Sequence, residues 1–394
     1  MKVISFSRTV SLDILYGEGL KTALILNAGQ KYFLLDSYVK AFEEKYPYYH
    51  DHLRELSDPG TYLRRDFDWM QGRDPKDWHD KRVLLSVHPN GGPGFGDELM
   101  AGCLPRYFKE VLGAQPFQVS IPIFAEIWAA NPFLTGPPVF VPTTLDPLLG
   151  LGEEPPFFDW SLFVEGVDGM AGWGLSDTES TYDALFRFAG VEPSMVAPEF
   201  KRPVFVLDKS KIVERDDWLK RIEVQRYFVL QLTCQDKFRT FPLSLVERVL
   251  EVASVEAARI EATIFCVKNS AFSPEISALI KKTPHAINLE KRLSTVTHFA
   301  GLIAGASLFI GPDSSGLHFA AAFETPALGL WGSFHPDLRA KYYKNQVHIY
   351  HDLGVSTSKD TNLHAALASS RLASITKEEI SSAVRELLDH GSRP

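Results

Sequence analysis

The stretch that decides the fold is GASLFIGPDSSGLHFAAAFETPALGLWG, residues 305–332. Its apolar segment Leu308–Ile310 is bounded by a glycine and a proline, which predicts a short buried strand. The alanine-rich segment Leu317–Phe323 predicts a helix, and Ala327–Trp331 predicts the next buried strand. A strand, a helix and a second strand in this order indicate a parallel α/β unit.

The turn between the first strand and the helix has the composition of an anion-binding site. Three residues that commonly cap helices stand at the turn: Asp313, Ser314 and Ser315. Gly316 follows and relieves steric crowding. The first backbone N–H groups of a helix have no partner within it, and with the helix dipole they favour an anion such as a diphosphate. The alternative is a capped helix that binds nothing.

Length and charge limit the class of protein. A chain of 394 residues suggests two domains with additions. Its formal net charge is −8, so the chain as a whole lacks the positive charge that binding to nucleic acid or an anionic membrane requires. The sequence shows no signal-peptide core and no apolar run long enough to span a bilayer, so we expect a cytoplasmic protein.

The cysteines predict neither a disulfide framework nor a metal site. Cys103, Cys234 and Cys266 are widely separated and odd in number. We expect all three to be buried as small apolar side chains.

Alternating strands and helices predict an α/β fold with two domains. We predict an N-terminal extension over residues 1–80, a Rossmann-like domain over 81–225 and a second one over 226–394. The predicted strands are Lys2–Phe6, Thr22–Leu26, Arg82–Val87, Phe117–Ile121, Val139–Val141, Leu162–Val164, Pro203–Leu207, Tyr227–Leu232 and Ala262–Val267. The predicted helices are Tyr38–Tyr46, Leu99–Leu112, Thr181–Ala189, Phe241–Val255, Ser273–Lys281, Leu293–Gly305 and Thr376–His390. Such alternation implies parallel sheets, whose ligands bind beyond the carboxyl ends of the strands.

The loop after the strand Arg82–Val87 is rich in glycine. It contains Gly94 and Gly96 just before Asp97, so its backbone can lie close to a ligand. The loop does not match the dinucleotide-binding fingerprint. Asp97 is either an acid–base residue or a helix cap.

The segment GPDSSGLHFAAAFETPALGLWG resembles the C-terminal signature of glycosyltransferase family 9, the family of the bacterial ADP-heptose:lipopolysaccharide heptosyltransferases. The matching positions are Asp313, His318, Ala320–Ala322, Thr325, Pro326 and Gly332. This chain departs from the family at Ser315, where a glycine is usual. The first loop is also similar to that family at the following positions: Gly96, Asp97, Leu99, Leu104 and Pro105.

The resemblance implies the GT-B fold, in which two Rossmann-like domains face each other across a cleft and the C-terminal helix crosses back to the first domain. It implies transfer of a sugar, heptose by default, from a nucleotide-sugar donor to an acceptor hydroxyl with inversion. The acceptor is a carbohydrate, a lipid-linked molecule or a protein. No catalytic metal and no cofactor beyond the donor are expected.

The resemblance also assigns roles to individual residues. Asp97 is implied as the catalytic base, with Gly94 and Gly96 in the loop near the substrates. The residues implied to bind the donor or its diphosphate are Arg239, Lys237, Asp313, Ser314, Ser315, Gly316, His318 and Glu275. Arg239 lies on the family motif in CQDKFRTFP, residues 234–242. A solvated basic loop is the alternative for Arg239 and Lys237.

Two rival functions stay open at this point. A nucleotide-sugar epimerase that hydrolyses its donor uses the same scaffold, and so does a nucleotide-sugar binding protein without catalysis. The extension over residues 1–80 is expected to bind the acceptor, to join a homo-oligomer or to cover the first sheet.

Overall fold

The structure is a computed structural model. It describes residues 2–6, 10–15, 21–26, 31–34, 43–44, 53–57, 78–87, 94–120, 124–140, 160–164, 171–173, 179–235, 237–268, 271–290, 293, 295–353 and 361–391. The chain divides into two compact units: Met1–Ser176 with Asp183–Phe200, and Asp177–Tyr182 with Lys201–Pro394. The predicted domain boundaries stay a prediction, as does the return of the C-terminal helix.

The first unit contains ten of the described strands. They are β1 Lys2–Phe6, β2 Val10–Leu15, β3 Lys21–Leu26, β4 Lys31–Leu34, β5 Leu53–Ser57, β6 Arg82–Val87, β7 Gln115–Ser120, β8 Val139–Phe140, β9 Trp160–Val164 and β10 Ala171–Trp173. Its helices are α1 Phe95–Ala101, α2 Cys103–Glu110, α3 Ala125–Ala129 and most of α4 Thr181–Phe188. The predicted strand Lys2–Phe6 is confirmed as β1. The predicted helix Tyr38–Tyr46 lies mostly outside the described residues.

The principal sheet of the first unit is mixed rather than parallel. Its order is β10-β9-β6-β7-β8, in which β6 pairs parallel with β7 but antiparallel with β9. The parallel expectation is therefore wrong for this edge of the sheet. Only residues 165–170 separate β9 from β10, which is too short for the crossover that parallel neighbours need, and the two strands pair antiparallel.

The second unit is built on six parallel strands. They are β11 Tyr227–Gln231, β12 Thr263–Val267, β13 Ala286–Asn288, β14 Leu308–Pro312, β15 Ala327–Trp331 and β16 Gln346–Tyr350. Their order in the sheet is β13-β12-β11-β14-β15-β16. The helices that accompany them are α5 Lys209–Arg221, α6 Leu243–Arg259, α7 Pro274–Lys282, α8 Val296–Ala304, α9 Ser315–Ala322, α10 Thr361–Ser374 and α11 Lys377–Gly391.

Apolar side chains cover both faces of this sheet, as near-continuous apolar strands require. On one face, α6, α7 and α11 pack in a single buried cluster with strand residues such as Leu230 and Leu328. On the other face, Phe265 contacts Trp218 of α5 and Tyr227, at 5.3 and 5.1 Å between ring centroids. The polar residues Gln231 and Asp313 stand at the carboxyl ends of β11 and β14, the edge at which parallel sheets bind their ligands.

The segment before this sheet differs from the prediction. Pro203–Leu207 is irregular, not a strand, and the helix α5 follows it without having been predicted. The helix α5 has no clear apolar periodicity because most of its residues are charged or polar, and Leu219 is its one buried residue. A local signal was present: the Asp208 carboxylate caps the helix by accepting from the Ser210 N–H at 2.7 Å.

The three cysteines are buried, as expected. Burial raises the pKa of the Cys266 thiol to about 12, so it stays protonated. In the part of the chain that the structure describes, no helix combines the length and the apolar composition that a membrane crossing needs.

Candidate functional site

The helix α9 begins in buried surroundings at the carboxyl end of β14. Ser314 is its N-cap residue, with extended backbone, yet its side chain makes no cap hydrogen bond. Instead the Ser314 hydroxyl donates to Oε1 of Gln231 at 2.8 Å. Ser314 and Asp313 are each 4% exposed. The first N–H groups of a helix have no partner within it, so a helix start of this kind is suited to binding an anion.

Gly316 is required by close packing at this helix start. A Cβ atom at this position would lie 2.4 Å from Cζ of Phe309 and 2.6 Å from Oε1 of Gln231. Both distances are shorter than side chains tolerate. The glycine therefore lets α9 begin directly against β11 and β14, where its N–H groups lie at the polar edge of the sheet.

Arg239 brings a positive charge to the same place. It ends a short 3-10 turn, Lys237–Arg239, and its Nη1 donates to the carbonyl oxygen of Asp313 at 3.2 Å. Thr240 closes the loop behind it, because its hydroxyl accepts from the Cys234 N–H at 3.0 Å. The guanidinium is thus anchored one residue before the N-cap of α9, which suits contact with an anion at the helix start.

His318 is buried in the first turns of α9. The side chain is 3% exposed, and burial, with Arg339 and Arg239 nearby, lowers the pKa of its imidazole to about 3. The ring is therefore neutral at ordinary pH. Its Nδ1 is hydrogen-bonded to the hydroxyl of Tyr343.

Asp97 lies in the first unit, and its carboxylate acts there as a helix cap. It occupies the third position of α1, and its Oδ2 accepts from the Gly94 N–H at 2.7 Å. Asp97 and Gly96 are both half-buried, and Gly94 is exposed. A carboxylate has several acceptor positions, so a capping bond leaves room for a second role as a base.

Two further predicted residues are less informative. Lys237 lies in the 3-10 turn, but its side chain lies outside the described atoms. Glu275 is exposed in the first turn of α7, and a hydrogen bond with Ser273 lowers the pKa of its carboxyl. The structure thus brings Arg239, Asp313 and His318 together at α9, and places Glu275 in the first turn of α7.

Three residues around α9 were not predicted. Gln231 is a polar residue at the end of a fully buried strand, which is a local signal that could have been used. Arg339 is 4% exposed and donates through Nη1 to Oγ1 of Thr181 at 2.8 Å. Tyr343 contacts Nδ1 of His318 through its hydroxyl. Arg339 and Tyr343 contact residues that are far away in the sequence, so no short motif predicts their roles.

Among the residues that the structure describes, no three His, Cys, Asp or Glu side chains are grouped as metal ligands.

Comparisons with known proteins identify the class of this fold. The chain aligns with E. coli ADP-heptose LPS heptosyltransferase II at a TM-score of 0.56 and 13% identity, covering 79% of this chain and 99% of that one. It aligns with a family 9 glycosyl transferase from Veillonella parvula at 0.58 and 11%, covering 84% and 100%. At such low identity these likenesses show the fold alone, and they confirm the predicted α/β fold of the GT-B type.

The sequence itself also resembles a known family over part of its length. The model of glycosyltransferase family 9 (heptosyltransferase) matches residues 198–365, which include β11, α9 and the loop that carries Arg239. The predicted resemblance to glycosyltransferase family 9 is thereby confirmed over this segment of the chain. No sequence among the curated proteins matches it.

Proposed function

We propose that this enzyme transfers a sugar from a nucleotide-sugar donor to an acceptor hydroxyl, with the donor diphosphate at the start of α9. The observation that carries this proposal is the buried helix N-terminus whose N-cap serine donates elsewhere, to Gln231, while Arg239 is anchored at Asp313. Backbone N–H groups, helix dipole and guanidinium together match a diphosphate.

The same groups supply the charge that the reaction needs. As the bond between the anomeric carbon and the phosphate oxygen breaks, negative charge grows on the leaving nucleoside diphosphate. Arg239, anchored at the carbonyl oxygen of Asp313, supplies a cation at the helix start. We therefore propose that no metal ion is required, and that activity persists in the presence of EDTA.

The donor proposed first is ADP-heptose. The E. coli protein of similar fold is described as an ADP-heptose heptosyltransferase, and the family description names heptosyltransferases. ADP, GDP and UDP are each compatible with a site defined by its diphosphate contacts. The acceptor is proposed as a hydroxyl of a carbohydrate, a lipid-linked molecule or a protein.

Asp97 is proposed as the base. In a single in-line displacement the acceptor oxygen attacks the anomeric carbon, the nucleoside diphosphate leaves, and the acceptor proton passes to the carboxylate. The configuration at the anomeric carbon is then inverted. The capping bond from Gly94 supports this role by holding the Asp97 side chain in one orientation.

A binding experiment tests the location of the donor. Ser315 is half-buried at the first position of α9. Ser315→Leu should abolish stabilisation by ADP, GDP or UDP in a thermal-shift panel, whereas the matched control Ser315→Ala should retain it. At 100 times the dissociation constant, a ligand stabilises the folded wild type by about 2.7 kcal/mol. Undiminished stabilisation of the Ser315→Leu variant contradicts the proposed location.

Product analysis separates the transferase from its rivals. With ADP-heptose and no acceptor, a hydrolysing epimerase releases nucleotide rapidly, whereas a transferase releases it only when acceptor is added. A binding protein without catalysis shows saturable binding and no release in either case. The anomeric configuration of the product, determined by NMR, tests inversion.

A further inference from the structure

Hydrogen bonds connect His318 of α9 through Tyr343 to Tyr182. Nδ1 of His318 is bonded to the Tyr343 hydroxyl, which lies 2.8 Å from the hydroxyl of Tyr182. All three residues belong to the second unit. The His318 and Tyr343 rings meet edge to face, with centroids 5.7 Å apart and planes at 87°. Packing and hydrogen bonding thus hold the imidazole in one orientation.

The imidazole of His318 carries one proton on its two ring nitrogens. The buried imidazole is neutral, since burial and the nearby arginines lower its pKa to about 3. A neutral imidazole has one nitrogen that donates and one that accepts. Because Tyr343 is bonded to Nδ1, the direction of that hydrogen bond decides which nitrogen carries the proton.

Only one tautomer of the His318 imidazole can donate a hydrogen bond to a diphosphate from Nε2. Phosphate oxygens at ordinary pH are acceptors, so they gain from an N–H group and not from a ring lone pair. The nitrogen that Tyr343 does not occupy is Nε2. A proton on Nε2 provides a donor for the diphosphate, and it requires the Tyr343 hydroxyl to donate to Nδ1.

Neighbouring contacts fix the position of Tyr182, the last residue of this series of hydrogen bonds. Arg339 donates to Oγ1 of Thr181, the residue before Tyr182, and its guanidinium lies 5.0 Å from the ring centroid of Phe334. Thr181 and Tyr182 are therefore held by separate contacts, the first by Arg339 and the second by Tyr343. With Tyr182 held in place, its hydroxyl can donate to the Tyr343 oxygen. The Tyr343 hydroxyl then donates its own hydrogen bond to Nδ1 of His318.

We propose that Tyr343 is a positioning residue of the donor site: its hydroxyl donates to Nδ1 of His318, keeps the imidazole proton on Nε2 and presents that N–H to the diphosphate. The hydroxyl of Tyr182 donates to the oxygen of Tyr343, so that both hydrogen bonds point towards His318. This inference rests on the proposed function, since it takes the ligand at α9 to be a diphosphate. A merely structural role of Tyr343 would depend on its ring, not on its hydroxyl.

The first test measures the tautomer directly. Nitrogen NMR of the full-length protein labelled in histidine identifies His318 as the signal lost in His318→Gln. The wild type should show the proton on Nε2 at neutral pH. Tyr343→Phe, which keeps the ring, should give a mixture of tautomers. A wild-type proton on Nδ1, or an unchanged tautomer in Tyr343→Phe, overturns the inference.

The second test measures binding of ADP, GDP and UDP by calorimetry. Tyr343→Phe should weaken the binding seen in the wild type by about 3- to 10-fold, the effect of one hydrogen bond. Tyr342→Phe is the matched control, because it removes a neighbouring hydroxyl that accepts from Lys201 at 3.2 Å. Its affinity should stay at the wild-type value.

The outcomes separate the two proposals. Tight binding by the wild type and equally by Tyr343→Phe overturns the role of Tyr343 and leaves the proposed function standing. No binding of any of the three nucleotides by the wild type overturns both. Equal losses in Tyr343→Phe and Tyr342→Phe point to a general packing effect and also overturn the role of Tyr343.

Discussion

Acid should destabilise the second unit through His318, and the structure sets the size of the effect. An ordinary histidine has a pKa of about 6.5, whereas burial and two nearby arginines lower that of His318 to about 3. Below pH 6.5 the unfolded chain takes up a proton that the folded chain cannot accept. The stability associated with the neutral ring is therefore present above pH 6.5 and is lost as the pH falls towards 3.

The perturbation that isolates this effect is His318→Asn, which removes the titrating ring. One pH unit corresponds to about 1.4 kcal/mol for one proton, so between pH 6.5 and 5.0 His318 accounts for about 2 kcal/mol. The variant should be less stable than the wild type at pH 7.5. The loss of unfolding free energy between pH 7.5 and 5.0 should, however, be about 2 kcal/mol smaller in the variant.

The measurement must report on the second unit alone, because a chain with two compact units need not unfold in one step. Urea unfolding followed by hydrogen exchange of the peptide that contains β14 meets this need, since that strand is fully buried. His335→Asn is the matched control, because the His335 side chain is 53% exposed and is not transferred out of water on folding. An equal pH dependence in the His318→Asn variant and the wild type would refute the argument.

Three further predictions concern the site and its support. Asp97→Asn should reduce kcat by about 10² to 10⁴-fold with little change in donor affinity, and steady-state kinetics with calorimetry measures both; a loss below tenfold contradicts the role of base. Arg239→Ala should weaken binding of a nucleoside diphosphate more than binding of the nucleoside, so equal losses by calorimetry exclude a diphosphate contact. Gly316→Ala should lower the free energy of unfolding by about 1–3 kcal/mol through the contact with Phe309. Gly301→Ala, where a Cβ meets nothing within 4 Å, should leave it unchanged or raise it, and urea unfolding of both variants tests the pair.

Local patterns in the sequence predicted most of the second unit. The strand Ala327–Trp331 was predicted with the bounds that the structure shows, and β14 and α9 within a few residues. In the first unit, the bounds of Arg82–Val87 were predicted as well. These elements are marked by short apolar runs, glycine, proline and capping residues, all of which act within a few positions of the chain. The start of α9 was predictable for the same reason.

Other features could not be predicted because they depend on residues far apart in the chain. The Ser314 hydroxyl donates a hydrogen bond to Gln231, 83 positions away, and no local pattern indicates that contact. Tyr182 and Tyr343 meet across 161 positions, and no periodicity encodes that contact. The direction of β9 is likewise a property of the assembled sheet. The sequence alone therefore determined which segment offers a helix start to an anion, since caps and apolar runs are local. Tertiary packing alone decided which side chains orient that helix start, because their hydrogen bonds form only when distant segments are brought together.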